Sequence, residues 1–155
     1  MDKVKSARVV VARTFGQRSV GLLGRGKLRA CSGLWFDCCK AVHSFGMSIP
    51  LDLVFLNNDL RVLWTIQNWQ PGRFAICRQA SSLLELADGS IGQLGWRAGT
   101  QLVGLAWPFN SKGKYDEFSV ASASSLSNVY PPCNGPRSGP MSMGRDCRWV
   151  RFQST

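Results

Sequence analysis

Cys39, His43 and Met47 recur at intervals of four, two sulfur side chains around the chain's one histidine. On a helix the three would share a face, neighbouring Cβ atoms about 5 to 6 Å apart, and would suit copper(I) or zinc. On a strand they also share a face, but at about 3.3 Å per residue successive members stand roughly 13 Å apart, too far for one ion. Ser44, Gly46 and Pro50 argue against a helix here. Cys38 and Cys39 are adjacent and lack the two-residue gap of a zinc knuckle, so no metal or other cofactor is expected.

The second chemical feature is Asp52, inside the apolar run Leu-Asp-Leu-Val-Phe-Leu at 51–56. Extended, that run puts Asp52 on the side of Val54 and Leu56, with Leu51, Leu53 and Phe55 on the other, so an unpartnered carboxylate there would be costly to bury. His43, Arg18 or backbone N–H groups are the candidate partners. A His43–Asp52 pair would have acid-base capacity; the alternative is a hydrogen-bond anchor that fixes the turn at Pro50. Glu85, in Leu-Leu-Glu-Leu at 83–86, is a second carboxylate in an apolar strand, and period two makes it an outward residue flanked by core leucines. Cys31 and Cys77 read as small core or surface thiols, and no nucleophile is placed by spacing alone.

The elements that must position these residues are mainly short strands. Residues 4–14, 33–37, 51–56, 61–67, 73–77, 81–86 and 101–106 carry β-branched and apolar runs bounded by turn residues. Asn-Asn-Asp-Leu at 57–60 joins two of them as a hairpin, and residues 69–72 form a turn. Two short helices are expected, at 15–24 after a Thr14 cap and at 88–95 with Asp88 as an acidic cap. The fold class is therefore mainly β, a compact sandwich or barrel-like domain with two short helices. One globular domain occupies residues 1–110. Residues 111–155, rich in serine, proline and glycine, read as an irregular, flexible tail whose aromatic end at 148–152 could dock on the domain.

A chain of 155 residues needs no second domain. No apolar run approaches the roughly 20 residues of a membrane span, and no apolar signal core follows the first residues, so a soluble, cytoplasmic protein is expected. Its six cysteines are then expected as thiols. The net charge of +10 is uneven: residues 1–40 carry +7, residues 41–105 are neutral and residues 106–155 carry +3. A basic first third would suit phosphate or an anionic surface, yet no nucleic-acid motif supports it.

The stretches at 14–25, 42–56, 83–89 and 94–99 resemble, in order, the motifs of the domain of unknown function 192 family of bacteria and archaea. The likeness spans about residues 6–105 and is carried by the central stretch Val-His-Ser-Phe-Gly-Met-Ser-Ile-Pro-Leu-Asp at 42–52. Arg18, Gly21, Leu22, His43, Phe45, Met47, Pro50, Asp52, Glu85 and Gly89 match its characteristic positions. The resemblance implies a compact, mostly β sandwich-like fold with no assigned biochemical activity. Many relatives look exported, and some are encoded beside pilus or secretion machinery. Two departures stand out: Asp59 is followed by Leu60 where relatives have Gly, and Gly99 by Thr100 where they have Asp.

These features favour a small, non-enzymatic binding or accessory domain. Its groove would be formed by His43, Phe45, Met47, Asp52 and Arg18, with Gly21, Leu22, Pro50, Glu85 and Gly89 shaping the fold. The partner would be a peptide, a protein or a small ligand. The alternatives are an enzyme using Asp52 with His43 and, more weakly, nonspecific nucleic-acid binding through residues 3–29.

Overall fold

A computed structural model describes residues 5–12, 28–105, 117–125 and 147–151. Its strands are β1 Ser6–Val11, β2 Ser32–Asp37, β3 Ala41–His43, β4 Leu51–Leu56, β5 Val62–Trp69, β6 Arg73–Cys77, β7 Ser82–Ala87, β8 Leu102–Leu105, β9 Glu117–Ser122 and β10 Cys147–Arg151. One short helix, α1 Ser90–Leu94, follows β7. The helix expected at 15–24 lies outside the described residues.

Seven strands form one sheet in the order β5-β4-β7-β2-β1-β9-β8, and three form a second, β10-β6-β3. The large sheet curls until its ends meet. Arg61 bridges Gln101, and the Val62 and Leu102 N–H groups donate to the Thr100 and Leu60 carbonyls. The result is a half-barrel with two apolar faces, because side chains alternate along each strand. Val54, Leu56, Leu84 and Leu86 turn inward with Val9, Trp35 and Val120, and Ile91, Leu94 and Trp96 from α1 and just beyond it fill the interior. Leu34, Phe36, Leu51, Leu53, Phe55 and Leu83 turn outward and are covered by Val42, Ala75 and Cys77 of the small sheet. Every residue of β4 and β7 is buried, as expected for central strands covered on both sides. Each fully buried Leu or Phe contributes roughly 2 kcal/mol.

Three local features differ from the sequence expectation. Glu117–Ser122 and Cys147–Arg151, within the stretch read as irregular tail, are strands, and the large sheet thus includes residues beyond 110. The serine content of β9 hides an alternation that buries Val120 against the interior while the backbone pairs with β1 and β8. Trp69, read as a turn residue, ends β5 and is 2% exposed. The cap of α1 is not Asp88 but Gly89 in the left-handed conformation, with no side-chain capping bond of its own. Asp88 instead accepts from the Asn68 side chain. At the hairpin, Leu60 takes φ 59, in the left-handed region that favours glycine. Asn57 holds the turn, its side-chain oxygen accepting from the Asp59 and Arg61 N–H groups.

Candidate functional site

The central stretch is not helical. Ala41–His43 is a strand, so Cys39, His43 and Met47 do not share a helix face and the ligand geometry their spacing suggests is not formed. Val42 faces the barrel, while His43 is exposed and stacks on Phe45, ring centroids 5.4 Å apart and planes 24° apart. Phe45, 46% exposed, is the large exposed apolar side chain among the described residues. Met47 and Ile49 turn back against the outer face of the barrel.

Ser44 fixes this turn. It is buried, its hydroxyl donates to the Gln70 carbonyl at 2.8 Å and accepts from the Arg73 N–H at 3.0 Å, and its own N–H donates to the Arg73 carbonyl. One small side chain therefore ties the β3–β4 turn to the β5–β6 turn. In the sequence it reads only as a poor helix former, and nothing in the spacing marks its partner 29 residues away.

β3 is an edge strand of the small sheet. The Lys40 carbonyl accepts from the Cys77 N–H, the Ser44 N–H donates to the Arg73 carbonyl, and Val42 pairs with Ala75 between them. Antiparallel pairs alternate, so Val42 bonds inward to β6 while the backbone groups of Ala41 and His43 point to the open side. There the Ala41 carbonyl accepts from the Cys39 thiol. Among the described residues this edge carries the two stacked rings at its end and the exposed Lys40 beside it.

Asp52 lies elsewhere. It is fully buried on the interior face, and both carboxylate oxygens are occupied: Oδ1 accepts from the Asn68 N–H at 3.0 Å and Oδ2 from the Ile91 N–H at 2.8 Å. Each bond has a local cause. Leu51 pairs with Trp69 and Leu53 with Ile66, so Gln67 and Asn68 together oppose Asp52 in a bulge that leaves the Asn68 amide without a ladder partner. Asn68 itself has φ 51. Ile91 is in the first turn of α1, whose cap residue Gly89 offers no side chain, and Asp52 supplies the missing acceptor from another strand. Backbone N–H groups are thus the partners, and what Asp52 anchors is the bulge and the helix. Among the described residues no hydrogen bond or ion pair joins Asp52 to His43.

Glu85 is on the outward side of its strand, as period two indicates, but it is buried. It is 6% exposed on the barrel's outer face, the side that also carries Leu34, Leu53 and Leu83. Leu34 on β2 and Leu53 on β4 stand directly opposite it, with Val10 and Ile66 beyond them in the same cross-strand row. Among the described residues no group hydrogen-bonds or ion-pairs with its carboxyl, and burial pushes its pKa up to about 7. Its backbone is equally enclosed: a Cβ on Gly33 would fall 1.8 Å from the Glu85 carbonyl oxygen, so the β2–β7 approach requires glycine.

Of the residues singled out by sequence, His43, Phe45 and Met47 thus gather at one turn beside Pro50, which leads into β4. Asp52 and Gly89 meet at the α1 cap, and Glu85 stands on the opposite face of the sheet. Arg18, Gly21 and Leu22 lie outside the described residues, as does most of the basic stretch at 3–29. Among the described residues, Cys31 and Cys38 are free thiols. Among the described residues no helix is long and apolar enough to cross a membrane.

Comparison with known proteins agrees with this architecture. No curated protein matches the chain. A solved protein of unknown function from Novosphingobium aromaticivorans shares 25% identity at a TM-score of 0.55, the match covering 60% of this chain and 71% of that one. A structure from Sinorhizobium meliloti, described as a candidate transcription regulator, shares 21% identity at a TM-score of 0.56 and is covered to 95%, against 65% of this chain. That second likeness concerns the fold alone. A family model described as an uncharacterised ACR matches residues 1–104, and the chain belongs to that family, domain of unknown function 192.

Proposed function

We propose that this domain is a non-enzymatic binding module that takes an extended peptide along the open edge of β3, with His43 and Phe45 gripping its side chains. The observation that carries the reading is the pairing of an edge strand with two stacked, exposed rings at its end. Main-chain donors and acceptors of Ala41 and His43 supply affinity for any extended segment, and the rings and Lys40 favour segments with apolar and acidic side chains. An acid-base pair of Asp52 and His43 finds no support, since both Asp52 oxygens are held by backbone N–H groups.

The test is selection of a displayed peptide library on the immobilised protein, followed by calorimetry of the enriched peptides against wild type, Ala41→Pro and Phe45→Ala. Ala41→Pro removes an outward N–H and leaves the β6 ladder intact, so the variant should stay folded and lose the peptides. Phe45→Ala should weaken them about tenfold. Peptides that bind both variants as tightly as wild type would place the contact surface elsewhere.

A further inference from the structure

Asp52 and Glu85 are the two buried acidic side chains among the described residues, and only one of them is solvated by the protein. Asp52 has two N–H donors, whereas Glu85 sits mid-row between Leu34 and Leu53 with no partner among the described residues. A buried polar group without a partner requires an explanation. Its neighbours on that face, Leu34, Phe36, Leu53 and Phe55, directly or diagonally beside it, are apolar and all at most 7% exposed. The smallest ligand that removes its charge is a proton.

We propose that Glu85 is a proton-binding site that makes the packing of the small sheet on the barrel sensitive to pH, closed when the carboxyl is protonated and loosened when it ionises. The charge would arise in a layer with little to neutralise it. β2 and β4 present Leu34, Phe36, Leu53 and Phe55 to it, none titratable. From β1, Arg8 shares the face but is exposed; from β5, Ile66 and the two tryptophans carry no charge. From the small sheet, Arg73 turns toward the barrel but lies over the Trp69 ring, 5.9 Å from its centroid, and makes no ion pair with Glu85. The Cys77 and Cys39 thiols bring no positive charge. Asp52, on the opposite face one residue along β4 from Leu53, bears the same sign. What the layer holds in place is the small sheet, through Val42, Ala75 and Cys77, so that sheet is the part that ionisation loosens.

The test uses the full chain. In wild type with ¹³C-labelled glutamate, the Glu85 carboxyl carbon, assigned by its absence in Glu85→Gln, should titrate between about pH 6 and 8. A midpoint near 4.5, the ordinary carboxylate value, would overturn the proposal. Hydrogen exchange of the β3 and β6 amides, corrected for intrinsic rates, supplies the second readout. Opening in wild type should rise on the order of 100-fold from pH 5 to pH 8, and Glu85→Gln should remove that rise. Equal rises in both proteins, or none in wild type, would also overturn it. Because the titration is made on wild type, a poorly folded variant does not shield the proposal.

Discussion

Leu53 pairs with Glu85 and its chain neighbour Asp52 pairs with Leu86, so the two buried acids, Asp52 and Glu85, stand on adjacent strands and opposite faces of one sheet. They meet opposite electrostatic fates within a few ångströms. Asp52 faces two backbone amides released by a bulge and by a helix start, whereas Glu85 faces leucines. Both side chains are buried, Asp52 the more completely; the difference that matters is hydrogen bonding.

Asp52→Asn should destabilise the domain by about 2 to 3 kcal/mol. Two N–H donors need two acceptors, and a carboxamide offers one oxygen and turns an NH₂ toward the other amide. Urea unfolding at pH 7 measures the loss. A change below about 0.5 kcal/mol would mean that the bulge and α1 hold themselves.

Glu85→Leu should act the other way, and only where the carboxyl pays to ionise. The unfolded chain deprotonates near 4.5 and the folded protein near 7, so the unfolded state binds fewer protons between those values and wild-type stability falls as pH rises through that window. It is highest below pH 4.5 and flat above about 7 as far as this group is concerned. The full effect is on the order of 3 kcal/mol. Thermal melts should therefore show the variant gaining on wild type from pH 5 to pH 8; parallel profiles would refute the assignment.

Ser44→Ala should cost about 1 to 2 kcal/mol, because it strands the part-buried Gln70 carbonyl and Arg73 N–H at the crossing of two turns. The loss should be local as well as global. Amide exchange at residues 45–49 should accelerate more than in the barrel strands, and uniform acceleration would contradict a pinning role.

Gly33→Ala should be the most damaging single methyl. The added carbon meets backbone rather than a movable side chain, at 1.8 Å from the Glu85 carbonyl oxygen, so β2 and β7 must separate. About 3 kcal/mol or more is expected from overpacking. Normal expression and an unchanged urea midpoint would show that the two strands are less closely apposed.

Much of the barrel was legible along the chain, because it depends on local alternation. The period-two pattern of residues 51–56 correctly puts Asp52 with Val54 and Leu56, and the Asn57 turn follows from side-chain chemistry within four residues. The short strand at 41–43 was foreshadowed only by what excludes a helix there. β9 and β10 were not legible, since a serine-rich run or a short basic one gains its strand conformation from the partner β1 or β6 supplies.

The candidate site divides in the same way. The sequence by itself determined that the stretch around His43 is not a helix, and that Asp52 needs a partner if buried, since both follow from local propensity and desolvation. Only the tertiary structure decided that the partners are the Asn68 and Ile91 amides, 16 and 39 residues away, and that β3 is an edge. It also decided that Glu85 is buried. Alternation tells which side of a strand a residue faces, but whether that side meets water depends on the second sheet laid over it, a long-range packing event that no local period encodes.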